Sequence, residues 1–473
     1  MVRAWDAAEL VRRHEELLFR RAYPKDEGEA QAADAELVML GQVVAERRLA
    51  GEDLTELEEA EVCGIAGSGM TAVFSYGVAR HLAGTHGRAV SIAWDAYESQ
   101  EPLGRLLPDL LPLSDEDAQV EAHVPYADWV HAAAGRRPEL DWLLGAIARR
   151  YSSPREQAVR YDALQLPLHW EFGQSTATRT LMRLPCRQFF AHDGALLTRR
   201  EVSLDEIPDL PLLPVKRVSR ECGRTVLALA RDTSAARYRE LHGFTWGDAS
   251  HVYSIDAGRG LRFFLSGVGP KWRLPLRAYH ALSLWKNGVP LGYFEGLSLF
   301  ERMEAGFNLY YTFRAGETAY LYAKILQAMR QLLGVTCFAV DPYQLGHEND
   351  EGLKSGAWWF YRKLGFRPAS AEMAAMAVKE ERRLASQPGA RTPASTLKKL
   401  VQAPMVYEFP GTGGGAWDGF RLRNIGMRTA QRGGLALPPA LAAAKSAAEE
   451  SRYLETMRQD AEFRKRVLKL GRF

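Results

Sequence analysis

Between residues 305 and 367 the apolar positions change from a period of two to a period near four and back, which predicts strand, helix, strand and short helix in that order. Phe307, Leu309, Tyr311 and Phe313 alternate with Asn308, Tyr310 and Thr312, so the spacing predicts a strand over 307–313 with one apolar face. The chain then turns at Gly316. From Thr318, the residues Leu321, Ile325, Met329 and Leu333 recur every fourth position and Gly334 follows as a stop, predicting an amphipathic helix of about four turns. Val335–Val340 supplies the second strand, and a right-handed parallel crossover is the default for such a unit. Upstream, His280–Trp285 and Val289–Leu299 flank Lys286-Asn287-Gly288, the strongest short hairpin signal. Val252–Ile255 and Leu261–Leu265 read as strands, Thr233–His242 as a helix and Met405–Phe409 as a closing strand.

The N-terminal half has a different pattern. Residues 1–60 are rich in Ala, Glu, Leu and Arg without alternation, and Leu10, Arg13, His14, Leu17 and Leu18 form a helical stripe. Residues 70–84 and 141–150 also read as helices, and Ala89–Trp94 as a strand. The organisation expected is a helix-rich N-terminal domain (1–150), an irregular connecting segment (151–214) ending in the proline-spaced Ile207–Pro214, a mixed α/β domain (215–410), and a glycine linker with a basic helical tail (411–473).

Composition narrows the function classes. At 473 residues the chain is long enough for two or three domains. No run approaches eighteen uncharged apolar residues, so no membrane span is expected, and acids in the first ten residues do not fit a signal peptide. A cytoplasmic location follows as an expectation. Cys63, Cys186, Cys222 and Cys337 are too scattered for a zinc site or a disulfide framework and read as reduced thiols. The net charge of +3 is too small to announce a nucleic-acid partner, but residues 371–473 carry 18 Lys or Arg against 10 Asp or Glu. The excess, at Arg421–Arg432 and Arg464–Lys469, suits RNA, a membrane surface or an acidic partner. The stretch 441–470 mixes both signs at helical spacing, however, and reads first as a solvated terminal helix.

Ala357, Phe360, Tyr361, Lys363, Leu364, Gly365 and Phe366 sit at the spacing Ala-x-x-Phe-Tyr-x-Lys-Leu-Gly-Phe, which resembles the last core helix of the GNAT acyltransferase superfamily. Lys354 occupies the position where that pattern has Asn. The phosphate loop of the family, Arg/Gln-x-x-Gly-x-Gly/Ala, is matched only irregularly around Arg314, Gly316 and Ala319, and the connection from Val340 to Ala357 is longer than in the family. The resemblance covers about residues 215–410 and implies the acyl-CoA N-acyltransferase fold, with acyl-CoA (acetyl-CoA or longer) as co-substrate and no metal. It implies pantetheine along Asn308, Leu309 and Tyr310, and the pyrophosphate over Arg314, Ala315, Gly316, Glu317 and Thr318 with Lys354 nearby. It also implies Tyr361 as the acid that protonates the departing thiolate.

A proton must leave the attacking amine, and Glu295, Glu304, His280 and His347 are the candidate bases in this region. Glu295 comes first because it interrupts an apolar alternation on the strand beside the cofactor strand; it is buried against a polar partner or lines a cleft, or else is a rim-exposed or salt-bridged Glu. Two other clusters have readings of their own. Cys63-Gly64-Ile65-Ala66-Gly67-Ser68-Gly69, with Asp95 beyond a strand, has the order of a dinucleotide fold, but the Glu-laden segment before it reads helical, which favours a glycine hinge. Gln174–Thr180 with Arg179, Arg183 and Arg187 reads as an anion clamp or as helix capping with surface arginines. The expected function is acyl transfer from an acyl-CoA thioester to a small-molecule or protein amine. The alternatives are a non-catalytic binding protein on a degenerate form of the same fold, or a ligase resembling the Fem type, which takes its acyl group from aminoacyl-tRNA.

Overall fold

The computed structural model describes residues 5–112, 124–186, 189–274, 277–415, 417–420, 424, 427 and 459–471. The protein is mixed α/β and divides into two units. Unit 1 comprises 1–185 and 224–246, and unit 2 comprises 186–223 and 247–473. The helix Arg220–Ala235 therefore starts in one unit and ends in the other. The proline-spaced segment before Val215 is not the boundary, because Leu213 and Pro211 carbonyls are bound by Gln331 and Gln327 within unit 2.

Unit 1 opens with helices Ala7–Ala22 and Glu27–Leu49, whose first-turn amides are capped by the Asp6 and Asp26 carboxylates. Leu10, Leu17 and Leu18 are buried, as the stripe predicts. Three antiparallel strands, β1 (Gly69–Val73), β2 (Val90–Ile92) and β3 (Pro167–Glu171), form a sheet in the order β1-β3-β2. The helix expected over 70–84 is thus a strand followed by a helix, Tyr76–His86. Thr71, Ala72 and Val73 pair with β3, and the carboxylates of Glu240 and Asp162 take the Ser75 and Tyr76 amides and set the helix start. Around this sheet lies a core containing Trp170, Leu143, Tyr161 and Leu82, which Ala235 and Ala236 complete.

Both alternative chemistries of this half resolve into structure. Gly67 has φ +85°, and an added Cβ would lie 2.5 Å from the Gly41 carbonyl oxygen, so close approach to a helix explains the glycine run. Arg179, 2 % exposed, donates to the carbonyls of Glu61 and Cys63 and pairs with Glu15 at 2.6 Å. Arg21 donates to Thr180 O at 2.7 Å, and the Thr180 hydroxyl accepts the Ala66 amide and bonds His14. These two arginines are engaged by backbone carbonyls and by the carboxylates of Glu15 and Asp34. Arg187 lies outside the described residues.

Unit 2 is built on nine strands: β4 (Val215–Arg217), β5 (Gly247–Gly258), β6 (Leu261–Val268), β7 (Ala278–Lys286), β8 (Val289–Leu299), β9 (Arg302–Leu309), β10 (Cys337–Val340), β11 (Arg367–Pro368) and β12 (Met405–Glu408). Their order is β11-β12-β10-β9-β8-β7-β6-β5-β4, antiparallel throughout except for β9 beside β10. The hairpin turns where expected, with Asn287 and Gly288 both at positive φ and Lys286 opposite Val289. β7 is buried along its whole length. Helix Thr318–Leu333 connects β9 to β10 and ends at Gly334 in the left-handed region. The closing strand β12 lies between β10 and β11.

Two expectations change here. The strand expected over 307–313 starts at Arg302 and stops at Leu309, and Tyr311–Phe313 is a 3-10 turn. The basic end is not a solvated helix where it is described. In Ala461–Gly471, Phe463 and Val467 are fully buried with Trp417, Phe420 and Phe300, and Arg464 pairs with Glu301. Residues 441–458 lie outside the described residues. Among the described residues no helix is long and apolar enough to cross a membrane.

Candidate functional site at the divergence of two parallel strands

β9 and β10 pair only through Arg302–Glu304 and Cys337–Ala339. Beyond that point β9 runs on, held by β8 on its other edge up to Leu309, while β10 ends at Val340 and the chain turns at Asp341-Pro342. Among the described residues the backbone of Ala305–Leu309 is therefore without a strand partner on one side, an edge that an extended ligand can pair with. Beside the last paired residues a cavity of about 50 Å³ is lined by Arg302, Glu304, Ala339, Val340 and Asp341. It has room for water only.

Alternation along β9 sends its side chains to two faces. Phe307 lies 5.2 Å from Tyr322 of the crossover helix and 6.4 Å from Phe360, ring to ring. Tyr361 packs into the same cluster, 5.5 Å from Tyr322 and 5.4 Å from Phe366. It is 3 % exposed, burial pushes its hydroxyl pKa up, and no described residue hydrogen-bonds that hydroxyl. Among the described residues the buried Tyr322 hydroxyl and Trp358 indole nitrogen have no hydrogen-bond partner. Buried polar atoms in that state call for a water or a ligand atom. Tyr322 was missed in the sequence because it sits next to Leu321 in the buried stripe, where an aromatic reads as core.

On the other face Glu295 stands opposite Gly306, whose missing side chain makes room for it; a Cβ there would meet Glu295 Cγ at 2.9 Å. Tyr279 donates its hydroxyl to the Glu295 carboxylate. Glu304 is tied to Arg302 at 3.1 Å. His280 is buried and held at about 4, mainly by desolvation, and so is neutral near pH 7. His347 bonds through its backbone amide to Pro342 O in the loop before the Asn349-capped helix.

The helix start departs from expectation. The Gly316 amide donates to Phe313 O at 2.9 Å and the Thr318 amide to Gly316 O, so these two N–H groups are already used. The Thr318 hydroxyl donates to Arg314 O. Arg314 donates to Leu309 O at 3.3 Å and pairs with Glu351 at 2.6 Å, while Ala315 is exposed. Lys354 is exposed on Asp350–Ser355, separated from Tyr361 by the left-handed Gly356, so it does not share the helix of the aromatic cluster.

Glu317 is not positioned to meet a cofactor. It is 1 % exposed and accepts from Arg259 and from the Leu197 amide at 3.1 Å, with Lys286 Nζ 3.5 Å away and His192 at 3.9 Å. Lys286 is fully buried and also donates to Arg259 O at 2.5 Å. Burial brings Lys286 down to about 8 against the pull of Glu317. Burial raises the Glu317 carboxyl, but Arg259, the Leu197 amide and Lys286 together hold it below its usual range. The result is a closed ionic cluster bracing the helix start. Asn308, Leu309 and Tyr310, by contrast, lie at or just beyond the end of the β9 edge, as required for residues that would run alongside a ligand.

Comparison with protein-family models, curated proteins and solved structures finds no match for this chain.

Proposed function

We propose that unit 2 moves an acyl group from a coenzyme A thioester to an amine on an acyl-CoA N-acyltransferase fold, as the sequence resemblance implies. The observation that carries this reading is the parallel pair β9/β10 parting after Glu304, with Tyr361 packed on Tyr322, whose ring also meets Phe307 of the unpaired edge. The pantetheine amides would pair with the β9 backbone from Ala305 to Leu309. The amine nitrogen attacks the thioester carbonyl, the C–S bond breaks, and Tyr361 gives its proton to the leaving sulfur. Its raised pKa keeps it protonated until then. Glu295, reached from the opposite face of the sheet, takes the proton released by the amine.

One observation favours a second reading, a binding protein that has lost the cofactor. The amide of Gly316 is occupied and the residue at the helix start is an anion, so a pyrophosphate finds fewer donors there than at an open helix N-terminus. The Fem-like alternative gains nothing from unit 1, whose three described strands are antiparallel.

A thermal-shift series with coenzyme A, acetyl-CoA and longer acyl thioesters separates the two readings. A ligand at 100 times its dissociation constant should add about 2.7 kcal/mol to the stability of the unit that binds it. No shift, together with no calorimetric heat at millimolar ligand, replaces the enzyme with the binding protein. If binding is seen, Tyr361→Phe is expected to keep affinity and fold while lowering turnover by about 10²-fold or more, because only the transition state loses a donor. Unchanged turnover assigns Tyr361 to the core instead.

A further inference from the structure

In unit 1, three metal-ligating side chains from two helices converge where the proposed acyl transfer has no use for them. His81 and His86 lie on Tyr76–His86, and Asp232 on Arg220–Ala235. His81 Nε2 is 2.7 Å and His86 Nε2 3.0 Å from the same oxygen, Asp232 Oδ1. The ligand atoms of all three lie within 4.8 Å of one another, and side-chain exposure is 7 %, 11 % and 7 %.

Charge is what makes this cluster unusual. Among the described residues no lysine or arginine is within ion-pair distance of Asp232; its neighbour Arg231, which feels the Asp232 charge without pairing with it, donates to Phe244 O at 2.7 Å. A buried carboxylate needs a compensating positive charge. A cation between the three groups would supply it. The surroundings suit a cation. His81 Nδ1 is 3.3 Å from the Thr85 hydroxyl, a partner that can take the Nδ1–H and leave the Nε2 lone pair facing Asp232. His86 is held by its ring against Trp170, with centroids 4.8 Å apart. Two imidazoles and one carboxylate with a position left over is the donor set of a four-coordinate transition-metal site.

We propose that His81, His86 and Asp232 bind one divalent transition-metal ion, zinc being the best fit to the two-nitrogen, one-oxygen set. Bonds of about 2.0–2.1 Å in a tetrahedron would widen the two nitrogen-to-oxygen separations to about 3.3 Å, a movement of a few tenths of an ångström. The fourth position is left for water or for the second Asp232 oxygen. The ion would join the helix of the two histidines to the helix of Asp232.

The test uses the full chain, stripped with a chelator and titrated with zinc chloride by calorimetry, with cobalt chloride as a spectroscopic probe. One ion per chain is expected, with the visible absorption of four-coordinate cobalt. Asp232→Asn keeps the size and hydrogen-bonding capacity of the side chain and should abolish stoichiometric binding, as should His86→Ala. Thr85→Val should weaken it by about 10- to 100-fold, the usual effect of losing the hydrogen bond that orients a ligating histidine. Circular dichroism of each variant establishes that it is folded. A wild-type protein that binds no zinc or cobalt more tightly than Asp232→Asn overturns the proposal, and so does binding that all the variants retain.

Discussion

Replacing Glu317 by alanine is expected to destabilise unit 2 by about 3–5 kcal/mol, the range for removing one partner of a buried ion pair. Lys286 is fully buried and Glu317 is its carboxylate partner, so the variant leaves an ammonium inside the fold. Arg259, about a quarter exposed, can turn to water; Lys286 cannot. In the native protein Lys286 already sits at about 8, below its ordinary 10.5. Without Glu317 it falls further. The unfolded chain then binds more protons than the folded one over a wider span, so the stability of the variant should rise with pH up to about 10.5. Urea titrations of wild type, Glu317→Ala and Glu317→Ala/Lys286→Met measure this. The double variant should recover much of the loss, because an apolar pair in place of a buried ionic one is often neutral. Equal stability of wild type and Glu317→Ala would mean that the cluster is open to water.

Acidification from pH 7 to pH 4 is expected to remove roughly 3 kcal/mol for each fully buried histidine. His14 in unit 1 and His280 in unit 2 are buried, and burial brings each down to about 4 from 6.5; Glu15 opposes this at His14 and Arg273 adds to it at His280. Between these values the unfolded chain is protonated and the folded one is not. Stability is therefore complete above pH 6.5 and is lost as pH falls towards 4. Denaturant midpoints at intervals across that range give the slope. His280→Leu should make it shallower for unit 2, where His192, also brought down to about 4 by burial, keeps its share, and leave the unit 1 transition as steep as before. A slope unchanged by the substitution would place the titration elsewhere.

What could be read from the sequence was local. The Asn-Gly hairpin, the helix from Thr318 to Leu333 and its Gly334 stop are set by neighbours within a few positions, and all three are found. Tyr311 and Phe313 continue the alternation of Phe307 and Leu309, yet Tyr310 is the last residue bonded to β8, and the chain coils beyond it. Alternation records which face a residue prefers, not whether a neighbouring strand exists. Strand β1 was hidden because its pairing with β3 joins residues almost a hundred positions apart. The same holds at the candidate site. Gly316 and Tyr361 stand out by motif, whereas the role of Glu317 depends on Arg259 and Lys286, and the two histidines find Asp232 about 150 residues away. No periodicity encodes those meetings.

The crossing of the chain between units has a consequence for synthesis. Domains that are contiguous in sequence can fold in order as they leave the ribosome. Unit 1 cannot, because Ala235 and Ala236 belong to its core and Asp232 to its buried polar groups, so it waits for residues up to Trp246. By then residues 186–223 of unit 2 have been made and must remain without their sheet until β5 and its successors follow. A nascent chain halted near residue 185 thus presents an incomplete apolar surface to chaperones and proteases.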